Sequence, residues 1–330
     1  MTNNFWKILR KPIIGLAPMD GITDWPTRQI QISVAKPDVI FTEFIGAEFM
    51  INKPEKLKRK ISFSENERPI VAQIVGYMPD AFATTVKKII EEGFDGIDLN
   101  LGCPARSIMH RGAGAALIGN FHDTAEIIEN ILRAIDENKS RGKIPFSVKT
   151  RINKDRDMTA KWFEFLTEFP LDAIIIHGRK PHQGLTGDVD WKELEFVSEI
   201  IKSKNILCIG NGGITSLEHG REMCEKHNLD GVLIGQAALG NPWIFREIKP
   251  EVAEILHIIK KHAELAWEFY GQRGFPSVIK HFKWYCKNFS GSKKLRAALL
   301  KTKTLQEVMS ILSMFDCGAN VCESLECTEN

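Results

Sequence analysis

The chain has 330 residues, 43% hydrophobic and 26% charged with a net charge of +2, which is the profile of an ordinary soluble globular protein of one large domain or one large domain with an appendage. No apolar run approaches the roughly 20 residues a bilayer span requires, and the opening MTNNFWKILRKP lacks the apolar stretch and cleavage site of a secretory signal, so a cytoplasmic protein without membrane partners is expected. Seven cysteines, an odd number, argue for free thiols rather than a disulfide framework, and the evenly spaced Cys317, Cys322 and Cys327 lack the fourth ligand and tight pairs of a zinc site.

From Ile13 to Ala237, short apolar runs alternate with longer stretches of helical period. The runs begin at Ile13 (IIGLAPM), Asp38 (DVIFTEF), Pro69 (PIVAQIVG), Gly96 (GIDLNLGC), Phe146 (FSVKTR), Ala173 (AIIIHGR), Ile206 (ILCIGNGG) and Gly231 (GVLIGQA). Continuous Val/Ile/Leu runs are how strands buried on both faces read, and their alternation with helices implies a parallel sheet. Eight such units predict a (β/α)8 barrel over residues 1–245. An open doubly wound sheet is the alternative, weakened because no G-x-G-x-x-G follows the first run.

In a barrel the chemistry sits at the C-terminal ends of the strands, and polar residues and glycines collect there: Pro18, Met19 and Asp20, then Gln73, Asn100 with Cys103, Lys149, His177 with Arg179, Asn211 with Gly212 and Gly213, and Gly235 with Gln236. Cys103 has the options of nucleophile, acid, metal ligand or small buried hydrophobe. The metal option falls because no His/Cys pair at ligand spacing accompanies it. Lys149, ending the fifth run, wants a partner: either a carboxylate inside the barrel or the pyrimidine edge of a flavin, which gains negative charge on reduction. The glycines ending the last two runs can offer unobstructed backbone N–H groups to a phosphate, or simply turn the chain.

After Asn241-Pro242 the strand pattern stops. Val252, Ile255, Leu256, Ile259, Ala263, Ala266 and Tyr270 fall at helical spacing, and residues 277–314 read as helix again, predicting a helical domain over residues 246–330. From Arg246 to Lys303 thirteen Lys/Arg face five Glu, whereas from Thr304 onward there are five acids and no Lys or Arg. This regional excess of +8 suits either phosphate-backbone binding or a solvated helical face. The stretch HFKWYCKNF from His281 interleaves lysines with rings, which either stack on bases or, more commonly, form helix core.

The chain resembles the tRNA-dihydrouridine synthases, most closely their bacterial B-type branch. The matching stretches are APMDGITDWPTR from Ala17, QIVG from Gln73, DLNLGCPARSIMHRGAGAALI from Asp98, VKTRI from Val148, IIIHGRKPHQGLTG from Ile174, IGNGGI from Ile209, IGQAALGNPWIF from Ile234 and HFKWYCKNF. The resemblance implies an FMN barrel that reduces uridine in tRNA to 5,6-dihydrouridine with NADPH as reductant, followed by a helical domain that grips tRNA. It implies FMN contacts from Pro18, Met19, Asp20, Gln73, Lys149 and His177, and phosphate contacts from Asn211, Gly212, Gly213, Gly235 and Gln236. It also implies Cys103 as proton donor and Asn100 and Arg179 beside the target base; no metal and a monomer are expected. Two positions depart from the family pattern: Gly213 stands where Asp is usual and Gln236 where Arg is usual. Losing the Arg removes a charge-assisted bond to the FMN phosphate, so weaker FMN retention is expected. The rival readings are an FMN barrel dehydrogenase acting on a small pyrimidine and a flavin-free RNA-binding relative.

Overall fold

A computed structural model describes residues 4–52, 58–138 and 144–326, with side chains described up to residue 315 apart from residue 52; the side chains of Cys317, Cys322 and Cys327 lie outside the described part. The described chain divides into two compact units, residues 1–25 with 36–237, and residues 26–35 with 238–330.

The first unit is a closed parallel barrel. Its strands are β1 (Ile13–Leu16), β2 (Ile40–Phe41), β3 (Ile45–Gly46), β4 (Ile70–Val75), β5 (Gly96–Leu101), β6 (Phe146–Arg151), β7 (Ala173–His177), β8 (Leu207–Asn211) and β9 (Gly231–Ile234). Each pairs in parallel with its neighbour, and β1 pairs with both β9 (Ile13 opposite Gly231) and β2 (Leu16 opposite Ile40), while β2 also pairs with β4, which closes the ring. All eight apolar runs are strands. The second run supplies the short strand β2, and another short strand, β3, follows just beyond the run's end; both are laid against β4. The break between them has a local cause: Thr42 Oγ1, rather than a main-chain carbonyl, accepts the Gln73 N–H at 3.1 Å, and the Glu43 carboxylate turns to accept the Gly21 N–H at 2.6 Å.

The barrel helices begin where capping residues stand. Asn120, Asp155, Asp190 and Ser216 each accept a first-turn N–H, opening the helices Phe121–Glu137, Arg156–Leu166, Trp191–Lys202 and Leu217–Lys226. The N-terminal end of the barrel is filled by the short 3-10 helix Phe5–Lys7, whose Phe5 and Trp6 pack with Ile13, Val39, Phe41, Val71, Ile175, Ile209 and Leu233. A floor of this kind leaves only the opposite end for a ligand.

The second unit is helical: Val252–Gly274, Pro276–Tyr285, Ser292–Leu299 and Leu305–Glu326, with residues 26–35 from the helix Trp25–Val34. Gln31 Nε2 binds the Pro242 carbonyl at 2.7 Å, and Ile30 shares a core with Trp243, Ile259, Ala263, Phe275 and Phe282. The helix expected over 277–314 is instead three helices. Asn288 and Gly291 adopt left-handed backbone (φ 61° and 74°), and Thr304 Oγ1 accepts the Glu307 N–H where the last helix starts. In HFKWYCKNF three of the five rings, His281, Phe282 and Tyr285, are buried and Trp284 and Phe289 are half-buried, while Lys283 and Lys287 face outward. The lysines of this stretch are therefore on the surface, and most of its ring surface is packed inward.

Candidate active site

Side chains alternate in and out along each strand, so the inward positions of β4 to β8 that end a strand converge on one mouth. Gln73, Asn100, Lys149, His177 and Asn211 occupy those positions, and a chain of hydrogen bonds links the first two to the loop that follows β5. Asp98, fully buried one inward position below Asn100, accepts from Gln73 Nε2 at 2.8 Å and from Ser147 Oγ at 2.7 Å. Gln73 Oε1 accepts from Asn100 Nδ2 at 2.9 Å, and Asn100 Oδ1 accepts the N–H groups of Gly102 (3.0 Å) and Cys103 (2.9 Å). Each amide orientation is dictated by the next, beginning from a carboxylate that can only accept while ionised. Asn100, expected beside a substrate base, thus spends both its oxygen and one of its two amide hydrogens on shaping the Cys103 turn.

The thiol is half-buried. Burial, its largest influence, pushes the Cys103 thiol above the ordinary range, and the Ala105 N–H acts in the opposite direction. The loop beyond is clamped: the Cys103 carbonyl accepts the Ala115 N–H at 3.0 Å, and at Gly114 (φ +62°) a Cβ would sit 2.8 Å from that same carbonyl, so only glycine lets the chain pass.

Three cations line the other side. Lys149 Nζ donates to Asn211 Oδ1 at 2.9 Å, Arg151 to the Gly102 and Gly184 carbonyls, and Arg179 to the Gly187 carbonyl and to His177 Nε2 at 3.2 Å. All these acceptors are neutral, and among the described residues no carboxylate lies within salt-bridge distance of Lys149. The ion-pair alternative for Lys149 is therefore not what this barrel builds. Loss of solvent, then the neighbouring Arg151, lowers Lys149 to about 8, and Arg151 is brought down to about 10, also chiefly by burial. His177, buried among the three cations, is pushed down to about 2, so it is neutral and, accepting from Arg179 at Nε2, carries its proton on Nδ1. A mouth with surplus positive potential suits an anionic ligand.

The remaining residues surround this mouth. Met19 Sδ lies 3.8 Å from where a Cβ on Gly235 would be, which brings the segment after β1 beside the end of β9. Asp20 is held by Lys60 at 2.6 Å. Gly212 has φ +110° and would place a Cβ 2.7 Å from the His177 ring; Gly213 has φ +67°, a conformation in which an Asp would be strained. Gly213 and Gln236 are both exposed. The expected residues are thus gathered around one opening. Sequence reasoning passed over Asp98, Ser147, Arg151 and Glu43; an acid at alternating register with Asn100 inside an apolar strand, GIDLNL, was the available signal for Asp98.

Among the described residues no helix is long and apolar enough to cross a membrane, and no group of three or more His, Cys, Asp or Glu is placed to hold a metal ion. The solved structure of DHODH from Eimeria tenella in complex with ferulenol superposes with a TM-score of 0.53 over 79% of this chain and 84% of that one, at 14% identity, a likeness of fold. The chain is 33% identical to the probable tRNA-dihydrouridine synthase of Staphylococcus aureus strain MRSA252, covering 96% of this chain and 97% of that protein. It is 31% identical to the probable tRNA-dihydrouridine synthase 2 of Bacillus subtilis strain 168, covering 96% and 98%. The family model described as dihydrouridine synthase matches residues 15–320, and with relatives of that identity over nearly their whole length, the chain belongs to the dihydrouridine synthase family.

Proposed function

We propose that this protein is an FMN-dependent tRNA-dihydrouridine synthase, a cytoplasmic monomer that uses NADPH to reduce a uridine of tRNA. The observation that carries the reading is a half-buried thiol, Cys103, on a clamped loop at a mouth whose three cations have no carboxylate partner among the described residues. The residues fit FMN. Lys149 keeps ammonium hydrogens beyond the one given to Asn211, Gln73 keeps one amide hydrogen, and Gly212, Gly213 and Gly235 leave backbone uncovered where a phosphate would sit. Pro18, Met19 and Asp20 would flank the ring, with Gln73, Lys149 and His177 on its polar edge and Asn211, Gly212, Gly213, Gly235 and Gln236 at the phosphate. When bound, FMN supplies hydride chemistry between NADPH and C6 of the uracil.

The chain's own residues supply the rest. Cys103 Sγ gives its proton to C5; the raised thiol pKa keeps that proton in place at neutral pH, and Arg151 favours the thiolate left behind. Asn100 positions the thiol through its turn, and its remaining amide hydrogen, with Arg179, orients the base. The uridine leaves its stack to reach the mouth, and the exposed lysines of the helical unit hold the phosphate backbone.

Cys103→Ala tests this: NADPH oxidation and flavin binding persist while dihydrouridine formation falls by about 10² to 10⁴, the usual worth of a positioned acid. Undiminished product would remove Cys103 from the reaction. A purified protein without visible flavin absorption would favour the flavin-free rival.

A further inference from the structure

Large apolar side chains are exposed unevenly on the barrel unit. Of its seven exposed large hydrophobics among the described residues, Ile8 alone precedes the barrel; Phe49, Ile51, Tyr77, Met78, Met109 and Leu185 all sit on segments that leave the C-terminal ends of strands, the side where Cys103 lies. Several of these are tied into one surface. The Arg111 guanidinium lies over the Phe49 ring at 5.8 Å, and Gly112 is bare backbone whose only neighbour for a Cβ would be Tyr77, 3.9 Å away. Glu48, next to Phe49, accepts the N–H groups of both Tyr77 (2.8 Å) and Met78 (3.1 Å), which fixes the ring-bearing turn while spending the carboxylate inward. Residues 102–120, which carry Cys103, contain Arg106, His110 and Arg111 and no acid.

Exposed rings and thioethers beside guanidinium groups that have no carboxylate partner among the described residues are costly to leave in water and match a partner that alternates flat π faces with phosphates. We infer that the surface made by Phe49, Tyr77, Met78 and Arg111 is a stacking platform for unpaired nucleotides flanking the uridine that enters the mouth. The inference rests on the proposed function for the identity of the RNA. It also assigns the two halves of nucleic-acid recognition to different places, since in the helical unit His281, Phe282 and Tyr285 are buried and Trp284 and Phe289 half-buried, whereas Phe49 and Tyr77 are exposed on the end of the barrel that carries Cys103.

Because the residues are exposed, their substitution leaves melting temperature unchanged. Tyr77→Ala and Phe49→Ala in the full-length protein each weaken tRNA binding about tenfold, the scale of one lost base–aromatic stack, while Tyr77→Trp retains it. Arg111→Gln lowers the slope of log affinity against log salt by about one. If both alanine variants bind and modify tRNA as the wild type does, the platform is overturned and the proposed reaction stands. If the wild type forms no dihydrouridine but tRNA binding still falls in the alanine variants, the reaction is overturned and the platform stands. Loss of self-association in those variants with tRNA binding unchanged would assign the surface to a second copy of the chain instead.

Discussion

Asp98 has no accessible surface and still bears a carboxyl group, held up to about 7 by loss of solvent against the opposing pull of Gln73, Ser147 and Lys149. A folded-state pKa above the unfolded value means that the folded form binds the proton more tightly, so stability is fully present at pH below about 4 and is lost as pH rises toward 7. Asn at this position keeps an oxygen for Gln73 Nε2 and offers an amide to Ser147 Oγ without the charge. Asp98→Asn is therefore expected to raise the melting temperature by about 5 °C at pH 8, with the advantage vanishing near pH 4 in a pH series of thermal melts. A gain that persists at pH 4 would mean that packing, not charge, is responsible. At the corner proposed for the FMN phosphate, Gln236 is exposed and neutral. Gln236→Arg restores a charge-assisted donor beside the glycines and should tighten FMN binding about tenfold in a fluorescence titration; no change would place the phosphate away from residue 236.

Four aspartates, each just before a strand, repeat one arrangement around the barrel. Asp38 accepts the Ile14 N–H, Asp95 the Ile70 N–H, Asp172 the Phe146 N–H and Asp230 the Cys208 N–H, all at 2.7 to 2.9 Å. Each satisfies a main-chain donor at the start of the preceding strand and so helps set register, which in a parallel sheet no tight turn can do. The pattern is visible as D-V-I, D-G-I, D-A-I and D-G-V, once the pairing is known. Asp172 also accepts from Asn4 Nδ2 at 2.6 Å, tying the Phe5–Lys7 plug to the same place. Asp172→Ala leaves two partly buried donors unpaired and is expected to cost about 2 to 4 kcal/mol in urea unfolding, against about 1 kcal/mol for the exposed cap substitution Asp155→Ala. Equal losses would show that the strand-leading aspartates act only as ordinary caps.

The net charge of the whole chain hides a division between its two parts. At the barrel mouth Lys149, Arg151 and Arg179 are turned inward, where the proposed function gives them a small anion; the helical unit carries Lys283, Lys287, Lys293, Lys294, Lys301 and Lys303 outward, where they meet bulk solvent. Phosphate contacts of the second kind release counterions, so tRNA affinity should fall by about 10³ between 50 and 200 mM salt while FMN affinity changes far less. A tRNA affinity insensitive to salt would argue against backbone contacts by this unit.

How much was legible in the chain depended on whether the signal was local. The eight strands could be read because burial on both faces demands unbroken apolar runs, and Cys103, Lys149 and His177 because strand ends point to one rim. The register of pairing, the additional strand β3 just beyond the second run, and the grouping of residues 26–35 with the helical unit depend on contacts between segments far apart in sequence, so no window of residues contains them. The same reason governs the polar interior: Asp98 reads as one more polar letter in GIDLNL until the fold brings Gln73 and Ser147 to it. It governs the rings as well: HFKWYCKNF left both stacking and the commoner helix core open, and packing buries His281, Phe282 and Tyr285 while leaving Trp284 and Phe289 half-buried, whereas Phe49 and Tyr77 drew no notice in sequence and stand exposed. Composition decides how much apolar surface must be hidden; only the packed molecule decides which of it is left in water.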